Sequence, residues 1–210
     1  QILLGEARAL LKNEDERQFF DRLFAGAGDD IDRSTADGLA TLARMAWAEA
    51  LQHKAGEIRV TVLRDGNARE PESAIVAVND DRPFLFDSAL AAAIAAGARI
   101  RMAFHPLLEI AGKPTSVIVL VTDAIAEGPA QAAMRDALTA SFTQGRDAVR
   151  DWKSMLVRLK QARDGLAARP PKDTDITEDL AFLDWLGDNH FTFLGARDYV
   201  LGKDGAHGRL

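Results

Sequence analysis

Cysteine is absent from the 210 residues of this chain, and so is any long apolar run. The absence of cysteine excludes disulfides, thiolate metal sites and cysteine nucleophiles, and it is typical of cytoplasmic proteins. No stretch approaches the roughly 20 apolar residues that a membrane-spanning helix needs. These absences predict a cytoplasmic protein with no membrane partner.

An excess of positive charge is also missing, because 26 basic residues stand against 32 acidic ones and the formal net charge is −6. We therefore expect no nucleic-acid partner. The histidines are dispersed and show no metal-ligand spacing, and "FAGAGDD" and "AGKPT" lack the spacing of phosphate-binding loops. The residues predict no metal, no bound cofactor and no catalytic residue in this chain.

The first part of the chain, residues 1–56, has the period of helices. Phe19, Phe20 and Leu23 lie at helical spacing before a glycine-containing stop. Ser34 is the predicted N-cap of a second amphipathic helix, which we expect to end near Gly56. These residues predict an N-terminal helical segment.

After residue 56 the spacing of apolar residues changes from the helical period of 3.6 residues to the strand period of 2. Residues 58–64 alternate, and residues 73–79 predict a second strand after a turn-forming segment, so the two predict a hairpin. The alanine-rich "FLFDSALAAAIAAGA" predicts a helix, and "RIRMAFHPLLEI" predicts a strand with Ile100, Met102 and Phe104 on one face. "TSVIVLVTDAI" is almost wholly apolar, as expected of a central strand buried on both faces.

The order of these elements predicts an α+β fold of the ferredoxin-like type. Strand, helix, strand, strand and helix follow one another across residues 73–145, which places the helices on one face of an antiparallel sheet. The fourth strand that should follow the second helix is missing. We expect residues 58–64 to take its place by pairing antiparallel with residues 73–79.

The second half of the chain begins with a long helix. It starts at Pro129, has a predicted interruption at Gly145, and closes the domain predicted for residues 57–168. The two prolines of "AARPPKDTD" break it and predict a linker at residues 169–175. Residues 176–210 then predict the start of a second, truncated module, with a helix and a strand over "HFTFLGARDYVL". The sequence breaks off after this strand, so we expect it to be part of a longer chain.

The segment "NDDRPFLFDS" joins a predicted strand to a predicted helix and has two interpretations. In the first, Asp80 or Asp81 caps the helix, Pro83 opens its first turn and Asp87 complements the helix dipole. In the second, the amides of the turn bind a small anion such as an amino-acid carboxylate, while Asn79 or one of the acids binds an ammonium group. The residues alone leave both open.

Three segments of the chain, "NDDRPFLFDS", "FHPLLEI" and "DNHFTFLGARDYVL", resemble the N-terminal region of the large bacterial NAD-specific glutamate dehydrogenases. Their order and separation also fit that family. The resemblance implies a series of ACT-type domains, which are ferredoxin-like modules that bind amino acids and pair through sheets or helices. It further implies a longer parent enzyme that oxidatively deaminates glutamate with NAD. Its catalytic lysine and NAD-binding domain would lie far downstream.

The resemblance implies a site as well as a fold. "DDRPFLFDS" is similar to the ACT signature around the first strand-to-helix turn, where effectors bind. A glycine commonly follows the proline in that signature, and Phe84 stands there in this chain. The residues expected to bind a small amino-acid effector are Asn79, Asp80, Asp81 and Arg82.

The leading hypothesis is a non-catalytic regulatory and assembly region of a large glutamate dehydrogenase. Its expected partners are the rest of the parent chain, further copies in a homo-oligomer, and an amino-acid effector. NAD would be the cofactor of the parent enzyme and not of this region. The alternative is a stand-alone ACT-type amino-acid-binding protein.

Overall fold

The computed structural model describes residues 2–65, 71–191, 193, 195–197, 199–201 and 207–209. The chain divides into two compact units, residues 1–143 and 144–210. The domain boundaries expected at residues 56, 168 and 175 remain predictions. In the described ranges, no helix is long and apolar enough to cross a membrane.

The first unit begins with three helices: α1 (Ile2–Ala9), α2 (Glu14–Leu23) and α3 (Ala36–Leu51). Asn13 caps α2, since its side chain accepts a hydrogen bond from the Glu16 amide at 2.7 Å. The predicted cap of α3 at Ser34 is wrong by one residue. Thr35 is the cap, because its extended backbone lets Oγ1 accept from the Gly38 amide at 3.0 Å.

The rest of this unit is one sheet with two further helices. In chain order these elements are β1 (Arg59–Asp65), β2 (Glu72–Asp80), α4 (Leu85–Ala95), β3 (Ile100–Phe104), β4 (Leu107–Ile110), β5 (Lys113–Asp123) and α5 (Pro129–Arg150). The strand order is β1-β2-β5-β3, with β4 also paired to β5, and every pairing is antiparallel. The α+β ferredoxin-like fold class is therefore confirmed.

The place predicted for the first strand is also confirmed. β1 pairs with β2 from Arg59 opposite Val78 to Asp65 opposite Glu72. It therefore fills the edge beside the first core strand, which the fourth strand of a ferredoxin-like fold would otherwise occupy. Most of the turn predicted between these strands, residues 66–70, lies outside the described residues.

The two faces of the sheet carry two separate cores. On one face α4 and α5 pack over Ile75, Ala77, Ile118 and Leu120. On the other face α1, α2 and α3 pack over the alternate residues of the same strands, Val76, Val78, Val117 and Val119. Since successive side chains of a strand point to opposite faces, both central strands are buried on both sides. This was predicted for β5 from its apolar sequence.

The segment predicted as one alternating strand after α4 is divided in two. β3 and β4 lie one after the other along the same edge of β5, and His105 and Pro106 separate them. A bulge between Ile100 and Met102 also shifts the register. Ile100 therefore packs in the core under α4 and α5, and not beside Met102 as predicted.

The second unit, from residue 144 onward, is mainly helical. The end of α5 is followed by α6 (Trp152–Ala168), α7 (Thr177–Trp185), a π-helical turn (Leu186–His190), β6 (Tyr199–Leu201) and β7 (His207–Arg209). The interruption predicted at Gly145 is wrong, because α5 continues through it and ends where Asp151 leaves the helical conformation at φ −108° and ψ 6°.

The strand predicted over "HFTFLGARDYVL" is shorter than expected. The π-helical turn includes His190, and among the described residues of this segment only Tyr199–Leu201 is strand. Residues 192, 194 and 198 lie outside the described residues. The π-helical turn extends α7 into this segment. Strand pairing therefore begins only at the end of the segment, at Tyr199. The second module expected here remains a prediction.

Candidate functional site

The strand-to-helix turn singled out by the sequence runs from the end of β2 at Asp80 to the start of α4 at Leu85. Its first residue is fixed to the sheet, since the Asp81 amide donates to the Pro114 carbonyl at 3.0 Å. The turn therefore leaves a rigid strand end and leads directly into a helix N-terminus.

The predicted capping by Asp80 or Asp81 is wrong. Phe84 occupies the N-cap position and makes no side-chain capping hydrogen bond. The two acids come four and three residues earlier in the chain and do not reach the first amides of α4. Asp87 does lie in the first turn of the helix, where a carboxylate complements the dipole. The capping interpretation therefore explains one of the three acids.

Phe84 has an unusual conformation for a bulky residue. Its φ is 68° and its ψ is 6°, in the left-handed region that glycine enters freely. The ACT-type signature that this segment resembles commonly has glycine at this place, a residue that adopts this conformation without strain. The Phe84 side chain is 62 % exposed and is not part of the core. The strained backbone at this residue is therefore not offset by burial of its ring.

Asn79 is the next-to-last residue of β2, and its side chain is fully buried. Neither Oδ1 nor Nδ2 has a hydrogen-bond partner among the residues that the structure describes. A buried amide in this state costs about 1–3 kcal/mol for each unmet group, so such groups are rare in native proteins. The side chain shares the face of Ile75 and Ala77, which is the face that α4 and α5 cover.

Two further polar side chains lie beside Asn79. The sheet register places Asn79 directly opposite the fully buried Ser116 of β5. His105, between β3 and β4, has its Nε2 2.8 Å from the Ser116 Oγ. We call Asn79, Ser116 and His105 the Asn79 cluster. The sequence did not single out Ser116 or His105, although "FHPLLEI" carried part of the family resemblance and the register of β2 with β5 was needed to find the serine.

The electrostatics of the Asn79 cluster favour a neutral site. Burial lowers the pKa of His105, and the nearby carboxylates of Asp81 and Asp87 oppose this effect. The ring of Phe86, in the first turn of α4, stacks on His105 with a centroid distance of 5.2 Å and an angle of 5°. The imidazole is therefore kept neutral at pH 7, between an aromatic ring and a serine hydroxyl.

Asp80 belongs to the opposite face of the sheet. Its Oδ2 accepts a hydrogen bond from the Gly56 amide at 2.8 Å, and its Oδ1 lies 3.8 Å from Nε2 of the buried His53. Both partners lie between α3 and β1. Asp80 thus holds the connection from the N-terminal helices, while its neighbour Asn79 faces α4 and α5.

The four expected site residues are therefore not all together. Asn79 is buried in the cluster, Asp81 is exposed at its edge, and Arg82 is half-buried in the turn. Asp80 lies behind the sheet. Among the described residues, no group of three histidines or acids has the arrangement of a metal site.

A cavity of about 490 Å³ lies in the second unit, between α6 and α7. Its floor is apolar, with Leu156, Leu159 and Leu183. The basic side chains at its rim are already ion-paired, Lys160 with Asp164 and Arg163 with Asp184. An anionic ligand would have to displace these carboxylates, so the arrangement there is that of a helix-packing groove.

The strand order, the two helices over one face and the strand-to-helix turn with a buried polar cluster define an ACT-type module. The comparison with known families agrees with this class. A family model described as glutamate dehydrogenase, ACT1 domain, matches residues 19–143, and the chain belongs to that family. No curated protein matches the sequence.

The matched range also refines the resemblance. It begins at Phe19 within α2 and includes α3, so the end of α2 and the whole of α3 belong to the matched domain together with the ferredoxin-like core, whereas α1 lies outside it. It ends at Thr143, within α5. The segment "DNHFTFLGARDYVL" lies beyond the match, and its part in the resemblance remains a prediction.

Proposed function

We propose that this chain is a non-catalytic regulatory and assembly region of an NAD-specific glutamate dehydrogenase. In this proposal the parent enzyme is cytoplasmic, contains the rest of the chain with its NAD-dependent catalytic domain, and forms a homo-oligomer. Support comes from the family match over residues 19–143.

The regulatory role would be exerted by an amino-acid effector bound at the turn between β2 and α4. The observation that carries this proposal is the buried amide of Asn79, which has no hydrogen-bond partner in the described ranges. In the proposed site Asp81 attracts the ammonium group and Arg82 with the amides of the turn attracts the carboxylate. Asp80 is a positioning residue, because it fixes the strand end to Gly56.

Thermal denaturation with each common amino acid tests the effector. A ligand at 100 times its Kd stabilises the native state by about 2.7 kcal/mol, which gives a clear rise in Tm. We expect one amino acid to raise the Tm, and Asp81→Ala to abolish the rise. The matched control is Asp136→Ala, which removes an exposed aspartate from α5 and should leave the rise intact.

If no amino acid raises the Tm, the effector role is wrong and assembly alone remains. The non-catalytic part of the proposal has its own test, which is the NAD-dependent oxidation of glutamate by the purified protein. Detectable turnover that purifies with the protein would contradict it.

The assembly role is supported by exposed aromatic side chains in the second unit. Phe182, Trp185 and Phe191 contact one another in sequence, and each is more than 40 % exposed. Exposed apolar clusters of this kind mark interaction surfaces. Light scattering of the wild type and of Phe182→Ser over a concentration series tests self-association, and a monomeric wild type at all concentrations would contradict it.

A further inference from the structure

The unmet groups of Asn79 restrict what can satisfy them. Its Oδ1 accepts hydrogen bonds and its Nδ2 donates them, and neither has a partner in the described part of the chain. A ligand carboxamide offers an N–H and a C=O side by side, so it can meet both groups at once. A carboxylate offers acceptors only and would leave Oδ1 facing a negative oxygen. An aliphatic group would meet neither.

The surroundings of Asn79 also oppose a charged group at this depth. Ser116 is fully buried, and partial burial lowers the pKa of His105, which favours its neutral form. The nearest charges that influence this imidazole are the carboxylates of Asp81 and Asp87. The side-chain carboxylate of an acidic ligand would lose its hydration beside the Asn79 cluster, and these two aspartates would repel it. A neutral group with hydrogen-bonding capacity avoids both costs.

We propose that the Asn79 cluster is the side-chain pocket of the effector site and that it selects an amino acid carrying a carboxamide, such as glutamine or asparagine, over the corresponding acid. This inference rests on the proposed function, since it names the class of ligand for that site. Asn79 pairs with the carboxamide of the ligand, while Ser116 and His105, which bond each other, complete the polar wall beside it.

Phe86 controls access to this pocket. Its ring covers His105 from the first turn of α4, directly after the strained residue Phe84. Rotation of the Phe86 side chain away from His105 opens the path to Asn79. Binding of a carboxamide ligand should therefore change the ring stacking, which is visible as a shift of the His105 side-chain resonances in NMR spectra.

Calorimetric titration of the protein with glutamine, asparagine, glutamate and aspartate tests the selection. We expect at least one amide to bind, with a Kd about ten-fold or more below that of its acid. In Asn79→Leu this binding should be lost, and the variant should fold at least as stably as the wild type, because an unsatisfied buried amide is removed. Thr122→Val, which changes a fully buried polar residue of the same strand as Ser116, should retain binding.

The outcomes separate this inference from the function on which it rests. If an acid or an apolar amino acid binds most tightly and Asn79→Leu removes that binding, the effector site stands and the carboxamide selection is wrong. If an amide binds equally well to Asn79→Leu, the pocket is misplaced. If no amino acid binds, the amide of Asn79 is satisfied by buried water only, and both the inference and the effector role are wrong.

Discussion

The two units of the chain bury their apolar residues very differently. In the first unit helices cover both faces of the sheet. The two central strands, β2 and β5, have fully buried side chains on each face. In the second unit Met155 is the one buried residue among those whose burial the structure describes, and α7 has none. The comparison shows that helical content alone does not make a core.

The polar interactions of the two units differ in the same way. The first unit encloses polar side chains, including those of Asn79 and Ser116. The second unit relies on exposed ion pairs, of which Arg163 with Asp184 is the best oriented. Exposed pairs add little to stability, so the second unit depends on what else it contacts.

Separate expression of the two parts gives the largest expected effect. Residues 1–150, which retain the whole of α5, should fold cooperatively, since they contain both cores. Residues 151–210 should not, because so little apolar surface is buried. Circular dichroism during thermal denaturation measures this. A cooperative transition in the second fragment, or none in the first, would reverse the comparison.

A matched pair of leucines gives the next largest difference. Leu138 of α5 is fully buried, whereas Leu159 of α6 is half-buried. We expect Leu138→Ala to lower the free energy of unfolding by about 2–5 kcal/mol, and Leu159→Ala by about 1 kcal/mol. Urea unfolding followed by circular dichroism compares them. Equal losses would show that the second unit has a core of its own.

The strained backbone at Phe84 gives a smaller expected change in the free energy of unfolding, and the direction of that change is defined. Phe84→Gly and Phe84→Ala both remove the ring, but only glycine enters the left-handed region without cost. We expect the glycine variant to be more stable than the alanine variant by about 1 kcal/mol in urea unfolding. If alanine is the more stable of the two, the backbone at this position is not strained.

The pH dependence of the first unit gives the smallest effect. Because burial lowers the pKa of His105, the unfolded state takes up its proton at a higher pH than the folded state does. The free energy of unfolding should therefore fall as the pH decreases below about 6.5. Melting curves between about pH 8 and about pH 5 measure it.

His105→Gln is the control for this measurement, since glutamine can still bond Ser116 but does not titrate in this range. The variant should lose less stability than the wild type over the same pH interval. Identical slopes for the two proteins would show that other groups cause the dependence.

The sequence predicts most of the fold because apolar period and turn residues are local signals. The change of period near residue 58, the hairpin and the displaced edge strand all follow from them. The bulge beside Arg101 and the break at His105 and Pro106 do not, because both are imposed by pairing with β5. Register depends on distant residues, which a pattern along one segment does not contain.

The candidate site was predicted only in part, because some of its residues are brought together by strand register and not by a local pattern. The turn itself is visible as acids and a proline between a strand and a helix. Ser116 and His105 lie beside Asn79 only because of the pairing of strands in the sheet. Asp80 lies on the opposite face because successive residues of a strand point to opposite sides. The left-handed backbone at Phe84 has no local signal in the residue itself, since an aromatic side chain gives no reason to expect it.

The place of β1 also has a consequence for folding kinetics. In β1 and β2 the paired residues Asp65 and Glu72 are close in the chain, so this edge of the sheet closes as a local hairpin. A fourth strand after α5 would instead have to find β2 across the whole domain. The displaced strand thus lowers the contact order, and folding is faster when fewer long loops must close. On the ribosome the hairpin is complete before α4 and α5, which cover one of its faces, have been synthesised.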